Sequence, residues 1–173
     1  MPDLPLHLKT IVEVGSLIGS RQLSPVEVTT ALLERIEVLD RDLMSYATLM
    51  ADHALKSARK SEDEISRGGY RGPLHGVPVA VKDLCFTSGV RTMGGSRVNS
   101  DHIPDFDATV VARLEAAGAV LMGKLNLTEG AMGGYSPDFQ APKNPWDSFR
   151  WAGSSSSGSG VATAAGLCFG SLG

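Results

Sequence analysis

Two features of the sequence bring together residue types that can do chemistry. Lys82 ends the apolar stretch "GVPVAVK", and four serines at positions 154–157 lie among glycines in "WAGSSSSGSGVATAAG". A lysine in a desolvated site loses the stabilisation of its ammonium and can act as a base. Glycines allow unusual backbone conformations, and free amides at a helix start can bind anionic oxygen. Lys82 is therefore a candidate base, and the serine-rich loop a candidate binding or catalytic element.

The surroundings of Lys82 leave two interpretations open. Valines alternate with Pro78, Ala80 and Lys82 in this stretch, which predicts a strand with one face of valines. Lys82 either emerges from the strand end with its amine in water or is held in a desolvated site as a base. Asp83 faces the other way if the strand continues, so it need not be the salt-bridge partner of Lys82.

The serine-rich loop leads directly into "VATAAGL", whose small side chains predict an interior helix. A flexible surface linker would not normally lead directly into a buried helix, so an ordered binding or catalytic loop is favoured. A phosphate-binding P-loop is not indicated, because no lysine follows Gly158 or Gly160. A dinucleotide motif is not indicated either, because the loop does not directly follow a strand. The S-x-x-K match at Ser57 and Lys60 lies on a charged helix without the companion motifs, so chance explains it better.

The remaining candidates are weaker. Nothing in the spacing selects a histidine for a Ser-His-Asp triad with the loop; the four are His7, His53, His75 and His102. Glu129 could act as an acid or base, but is expected to cap local backbone. The methionines expected in the core are Met93, Met122 and Met132.

The elements that must position these residues alternate between helices and strands. "LSPVEVTTALLERIEVLDRDL" predicts a helix with Ser24 as N-cap, Pro25 in the first turn and Glu27 completing a capping box. A second, mostly polar helix, "MADHALKSARKSEDEISRG", is expected at the surface. Four further elements follow: the strand ending at Lys82, the helix "DATVVARLEAAG", the buried strand "AVLMGK" and the small-residue helix. Another strand is expected to begin in "LCFGSLG". This order predicts an α/β fold in one domain.

Composition excludes several classes of protein. The chain has 173 residues, 42% hydrophobic, with a net charge of −3, and lacks a basic cluster that would favour nucleic acid or an anionic membrane. Cys85 and Cys168 are expected to be buried free thiols rather than a disulfide or a metal site. No signal peptide is evident and no apolar run reaches the ~18 residues that span a bilayer. A cytoplasmic protein without a cofactor is expected.

Longer segments resemble a known family. "GPLHGVPVAVKDL" and "NPWDSFRWAGSSSSGSGVATAAG" resemble the two hallmark segments of the amidase signature family, and "DATVVARLEAAGAVLMGKLNLTEGAMG" is similar to the sequence between them. The resemblance implies the N-terminal part of that α/β fold, a mixed β-sheet flanked by helices, with N-terminal helices in 1–70 and the start of the sheet core in 71–173. It also implies hydrolysis of a small-molecule amide by a Ser–cis-Ser–Lys triad with no cofactor or metal. A homodimer is a separate expectation that the sequence leaves open.

The resemblance assigns roles to individual residues. Lys82 matches the family lysine. Family members commonly read G-G-S-S-G-G-S-G in the serine loop, and alignment through Ser159 and Gly160 makes Ser155 the bridging serine with the cis peptide. The four consecutive serines leave Ser154 and Ser156 as alternates. Substrate-binding residues implied by the resemblance are Met132, Gly133, Gly134 and Ser156.

The nucleophilic serine of the family lies in a segment resembling G-T-D-T-G-G-S, and Gly173 matches its first glycine. We therefore expect this chain to stop short of the nucleophile.

Two alternatives to a stand-alone amidase stay open. The A subunit of glutamyl-tRNA amidotransferase typically carries G-K-T-N-M-D-E-F-A-M-G, whereas this chain reads "GKLNLTEGAMG", a departure that favours the amidase. The second alternative is a catalytically dead remnant of an amidase. The sequence does not decide the amide substrate or the oligomeric state.

Overall fold

The computed structural model describes residues 4–173 and contains a mixed four-stranded sheet in the order β1-β3-β2-β4. The strands are β1 Tyr46–Leu49, β2 Pro78–Lys82, β3 Val120–Leu125 and β4 Ser171–Leu172. Strand β2 is parallel to both β3 and β4, and β1 is antiparallel to β3. The helices are α1 Ile11–Gly19, α2 Pro25–Leu43, α3 Ala51–Ser66, α4 Thr109–Ala116 and α5 Ser157–Ala164. This mixed sheet flanked by helices confirms the predicted fold class.

Helix α2 begins as predicted, but its cap differs in one respect. The Ser24 hydroxyl accepts hydrogen bonds from the backbone amides of Val26 (3.1 Å) and Glu27 (3.2 Å). The predicted capping box is not completed, because the Glu27 side chain does not bond back to the Ser24 amide. The Ser24 hydroxyl donates to the Glu62 carboxylate on α3. The N-cap therefore also ties α2 to α3.

Helix α3 is less exposed than its polar sequence suggests. Ala54, Ala58 and Ile65 form a buried face, and small side chains there let the helix approach its neighbours closely. The strand β1 between α2 and α3 was not predicted. Its four residues carry no clear alternation, and its pairing with β3 is a tertiary contact that propensity does not encode. No helix among residues 4–173 is both long and apolar enough to cross a membrane.

The core lies on both faces of the two central strands. Every residue of β2 and β3 is buried, as is typical of strands covered on both sides. One face packs in a cluster that includes Leu32, Ile36, Ala80, Met122, Leu125, Ala162 and Leu167. The other packs in a cluster of Val79, Val81, Val111, Ala119 and Leu121. Packing on both faces of the sheet therefore fixes the position of the end of β2, where Lys82 lies.

Three predictions about single residues or segments need correction. Met93 and Met122 are buried, but Met132 is 74% exposed because it lies in a loop after the 3₁₀ turn Glu129–Ala131. Cys168 is a buried free thiol, whereas Cys85 is only half-buried. The predicted last strand is confined to Ser171–Leu172, because the preceding residues form turns.

Candidate active site

Lys82 lies at the end of β2 and its side chain points into the serine-rich loop. Its Nζ donates hydrogen bonds to Ser155 Oγ at 2.8 Å and to Ser156 Oγ at 2.7 Å. The residue is only 8% exposed. The interpretation in which the amine projects into water is therefore wrong, and Lys82 occupies a largely desolvated position against two hydroxyls.

The serine-rich loop has an irregular backbone that ends in helix α5. A cis peptide bond joins Ser154 to Ser155, the position expected for the bridging serine. The carbonyl oxygen of Ser155 accepts a hydrogen bond from the backbone amide of Thr128 at 3.1 Å. Ser156 precedes the first helical residue, and Ser154 is exposed. The hydroxyls of Ser155 and Ser156 are thus presented to Lys82.

The first turn of α5 is bonded to its surroundings, so the loop is not a flexible linker. The Gly158 amide donates to the carbonyl of Asn126 at the end of β3 (2.9 Å). Ser159 Oγ donates to the carbonyl of Leu172 in β4 (3.0 Å). The Tyr135 hydroxyl donates to Ser157 Oγ. These bonds connect the serine-rich loop to two strands and to the loop that carries Tyr135.

The bond from Tyr135 to Ser157 gives a testable prediction. Ser157 is buried, so Tyr135→Phe removes a donor from a desolvated hydroxyl. We expect the free energy of unfolding in urea to fall by about 1–2 kcal/mol. A double-mutant cycle with Ser157→Ala should give a coupling energy above roughly 0.5 kcal/mol. Strictly additive effects would show that the hydroxyls do not interact.

The segment predicted to bind substrate lies in the loop of residues 128–135. The Glu129 amide donates to the carbonyl of Gly134 at 2.7 Å, and the Thr128 hydroxyl donates to the carbonyl of Met132. A Cβ atom added at Gly133 or Gly134 would meet nothing within 4 Å. The loop is therefore a closed backbone turn with an open outer side, joined to Ser155 through the Thr128 amide.

Sequence reasoning missed a second buried lysine. Lys124 on β3 is fully buried, and its Nζ donates to the carbonyl of Cys85, to Thr87 Oγ1 (3.1 Å) and to Thr92 Oγ1 (2.8 Å). It lies 4.0 Å from Oδ1 of Asp83, which is also fully buried. A charged residue inside the apolar run "AVLMGKL" was the signal that could have revealed it.

The two buried charges depend on each other. Burial raises the pKa of Asp83 to about 6, although the Met93 amide and the Lys124 ammonium oppose this shift. Burial likewise lowers the pKa of Lys124, and the Asp83 carboxylate opposes that shift. Each group therefore partly offsets the effect of burial on the pKa of the other.

Two other candidates from the sequence, His75 and Glu129, bond to side chains or backbone outside the serine-rich loop. His75 is buried, accepts from the Arg71 amide at 3.1 Å, and has its Nε2 3.1 Å from the Glu64 carboxylate; burial lowers its pKa. These contacts do not involve the serine-rich loop. Glu129 accepts a hydrogen bond from Ser96 Oγ at 2.7 Å, so it binds a neighbouring loop's side chain. Among residues 4–173, no three histidine, cysteine or acidic residues cluster as metal ligands.

The contact between Lys82 and Ser155 lies within a region of the chain that matches a known family. The sequence profile of the family described as Amidase matches residues 27–173. The chain belongs to this family. The match includes both Lys82 and the serine-rich loop.

Individual relatives agree with this assignment. The chain is 57% identical over 163 residues to the "Putative amidase AmiD" of Mycobacterium tuberculosis, covering 94% of this chain and 34% of that protein. It is 43% identical over 172 residues to the A subunit of the glutamyl-tRNA(Gln) amidotransferase of Moorella thermoacetica, covering 98% and 35%. The crystal structure of the native peptide amidase from Stenotrophomonas maltophilia superposes with a TM-score of 0.88 at 36% identity, covering 95% and 35%. The chain thus spans about a third of the length of these relatives.

Proposed function

We propose that the protein containing this chain is an amidase that hydrolyses a carboxylic acid amide to a carboxylate and ammonia or an amine. The observation that carries the proposal is the pair of hydrogen bonds from Lys82 Nζ to Ser155 and Ser156, at 2.8 and 2.7 Å. A buried amine next to hydroxyls is the arrangement that proton transfer requires. Membership of the Amidase family supports the reaction class.

In the proposed mechanism, Lys82 and Ser155 form a proton relay. Lys82 takes the proton of the Ser155 hydroxyl across their 2.8 Å contact, and Ser155 takes the proton of a nucleophilic serine of the intact protein. That serine attacks the amide carbonyl, and backbone amides stabilise the oxyanion. The relay returns the proton to the leaving amine, which departs and leaves an acyl-enzyme. Water then attacks the ester and releases the carboxylate.

The proposed substrate-binding residues are Ser156 and the backbone of Met132, Gly133 and Gly134. The loop of residues 128–135 is tied to Ser155 through the Thr128 amide, so its position follows that of the serine-rich loop. The exposed Met132 and the open glycines leave room for a ligand there.

A second candidate is the A subunit of a glutamyl-tRNA amidotransferase. Its support is the similarity to the A subunit of the Moorella thermoacetica enzyme, at 43% identity over 172 residues. Identity with the AmiD protein is higher, at 57% over 163 residues. The segment "GKLNLTEGAMG" also departs from the usual amidotransferase motif at Leu125, Leu127, Thr128 and Gly130. Both observations favour the stand-alone amidase.

An assay of ammonia release tests the proposal. The intact protein, without partner subunits, is incubated with a panel of aliphatic, aromatic and peptide amides. We expect release from at least one amide, and a loss of roughly 10²–10⁴-fold in the Ser155→Ala variant because the relay is broken. Ser154→Ala is the matched control, because Ser154 is exposed and should leave activity within a few-fold.

The other outcomes distinguish the alternatives. Ammonia release from glutamine only in the presence of the other amidotransferase subunits would identify the protein as part of that complex. No release from any amide, with or without those partners, would identify a catalytically dead remnant.

A further inference from the structure

The buried ion pair of Asp83 and Lys124 adjoins the proposed catalytic lysine without contacting the serine hydroxyls. We propose that Asp83 and Lys124 are positioning residues, whose contacts fix the end of strand β2 and hold the Lys82 amine at Ser155 and Ser156. The inference rests on the proposed amidase function, because it assigns the pair a role in the reaction that Lys82 serves.

The strand register places the two lysines on opposite faces of the sheet. In the parallel pairing of β2 with β3, Lys82 lies opposite Leu125 and Val81 lies opposite Lys124. Neighbouring residues of a strand point to opposite faces, so Lys124 shares the face of Val81 and not that of Lys82. The Asp83 amide donates to the carbonyl of Leu125 at 2.9 Å, which extends the pairing by one residue beyond Lys82. Lys82 therefore lies directly before a residue that is held by both its backbone and its side chain.

Lys124 ties down the chain that leaves β2. Its Nζ has three protons, and it donates to three acceptors in the segment 85–92: the Cys85 carbonyl and the hydroxyls of Thr87 and Thr92. The carbonyl of Lys82 itself accepts from the Cys85 amide at 2.9 Å. The buried ammonium thus fixes the turn that follows Lys82.

Asp83 supplies the opposite charge and binds the next part of the chain. Its Oδ2 accepts from the Met93 amide at 3.0 Å, and its carbonyl accepts from the Gly94 amide at 2.9 Å. Its Oδ1 is buried and forms no hydrogen bond with residues 4–173, so Lys124 at 4.0 Å is its compensating partner. An uncompensated charge at such a site is strongly unfavourable. Burial raises the pKa of Asp83 to about 6, and the Met93 amide and Lys124 oppose this shift and favour the carboxylate.

The same contacts reach the proposed substrate-binding loop. The carbonyl of Gly94 accepts from the Gly130 amide at 2.7 Å. Gly95 packs so closely that an added Cβ would lie 2.8 Å from the carbonyl oxygen of Leu127. A displacement of Asp83 is therefore transmitted to Lys82 along the strand and to the loop of residues 128–135 through Gly94.

The test compares three variants with a matched control in the intact protein. Asp83→Asn keeps the shape of the side chain and removes its charge, Lys124→Met keeps the length and removes the ammonium, and the double variant removes both. Asp63→Asn is the control, since it removes a carboxylate from an exposed pair with Arg67. For each variant, kcat, KM and the thermal midpoint are measured, and a crystal structure gives the distance from Lys82 Nζ to Ser155 Oγ.

We expect Asp83→Asn to fold and to lower kcat by roughly 10²-fold, because small displacements of reacting groups have effects of that size. KM should change by much less, and the distance from Lys82 Nζ to Ser155 Oγ should exceed that of a hydrogen bond. The double variant should regain thermal stability without regaining kcat. The control should match the wild type in every measurement.

Two results would overturn the inference. One is a folded Asp83→Asn variant with wild-type kcat and an unchanged contact between Lys82 and Ser155. The other is a double variant that recovers kcat together with stability, which would show a purely structural role. A wild-type protein inactive on every amide would contradict the proposed function instead, and the crystallographic distance would still decide whether the pair positions Lys82.

Discussion

Replacing Lys82 with alanine is expected to abolish amide hydrolysis in the intact protein while leaving it folded. The amine is the final proton acceptor of the proposed relay, and its Nζ lies 2.8 Å from Ser155 Oγ and 2.7 Å from Ser156 Oγ. Loss of a general base typically lowers the rate by 10²–10⁴-fold. Steady-state turnover on the best amide of the panel measures the loss, and circular dichroism with thermal unfolding checks the fold.

Two further variants separate the role of the amine from that of the side chain's bulk. Lys82→Met retains an unbranched apolar side chain in the buried position and should be as inactive as the alanine variant. Lys60→Met removes an ammonium from the exposed face of α3 and should retain wild-type turnover. Activity of Lys82→Ala within tenfold of the wild type would remove Lys82 from the mechanism.

Much of the fold was predictable because its signals are local. Ser24 and Pro25 mark the start of α2, the alternating valines mark β2, and the small residues after the serines mark α5. The resemblance to the amidase signature family also predicted the mixed sheet. It indicated that Lys82 and Ser155 belong together, although they are 73 residues apart in sequence. Spacing alone left the environment of Lys82 undecided, since its amine is bonded to the serine-rich loop, which is distant in sequence.

The features that were missed depend on tertiary contacts. Strand β1 forms by antiparallel pairing with the edge of β3, and its four residues show no alternation of polar and apolar side chains. Met132 looks apolar in sequence but lies outside the core because the turn before it directs the chain outward. In the sequence, Lys124 marks the end of a predicted buried strand. Its ammonium can be buried there because the segment 85–92 supplies three oxygen acceptors. Such compensation cannot be predicted from local sequence.

Replacing Gly158 with alanine is expected to disrupt the site through the backbone alone. Gly158 lies in the first turn of α5, where it contacts the ends of β1 and β3. A Cβ atom there would lie 2.5 Å from the amide nitrogen and carbonyl oxygen of Asn126 and from the carbonyl oxygen of Ser45. All three are backbone atoms of the sheet region, so the helix must move rather than its neighbours. The movement would break the bond from the Gly158 amide to Asn126 and displace Ser155 and Ser156 from Lys82.

We expect Gly158→Ala to lower the free energy of unfolding by about 1–3 kcal/mol or more, as overpacking does, and to lower turnover by roughly 10²-fold. Gly160→Ala provides the matched control two residues further on, since an added Cβ there meets nothing within 4 Å. Because alanine is the better helix former, the control should stabilise the protein by about 0.5–1 kcal/mol. Equal effects of the two substitutions on urea denaturation and turnover would mean that α5 does not depend on its close contact with Asn126 and Ser45. Opposite effects on stability, together with a loss of turnover in Gly158→Ala alone, would show that this contact places the serine hydroxyls within reach of Lys82.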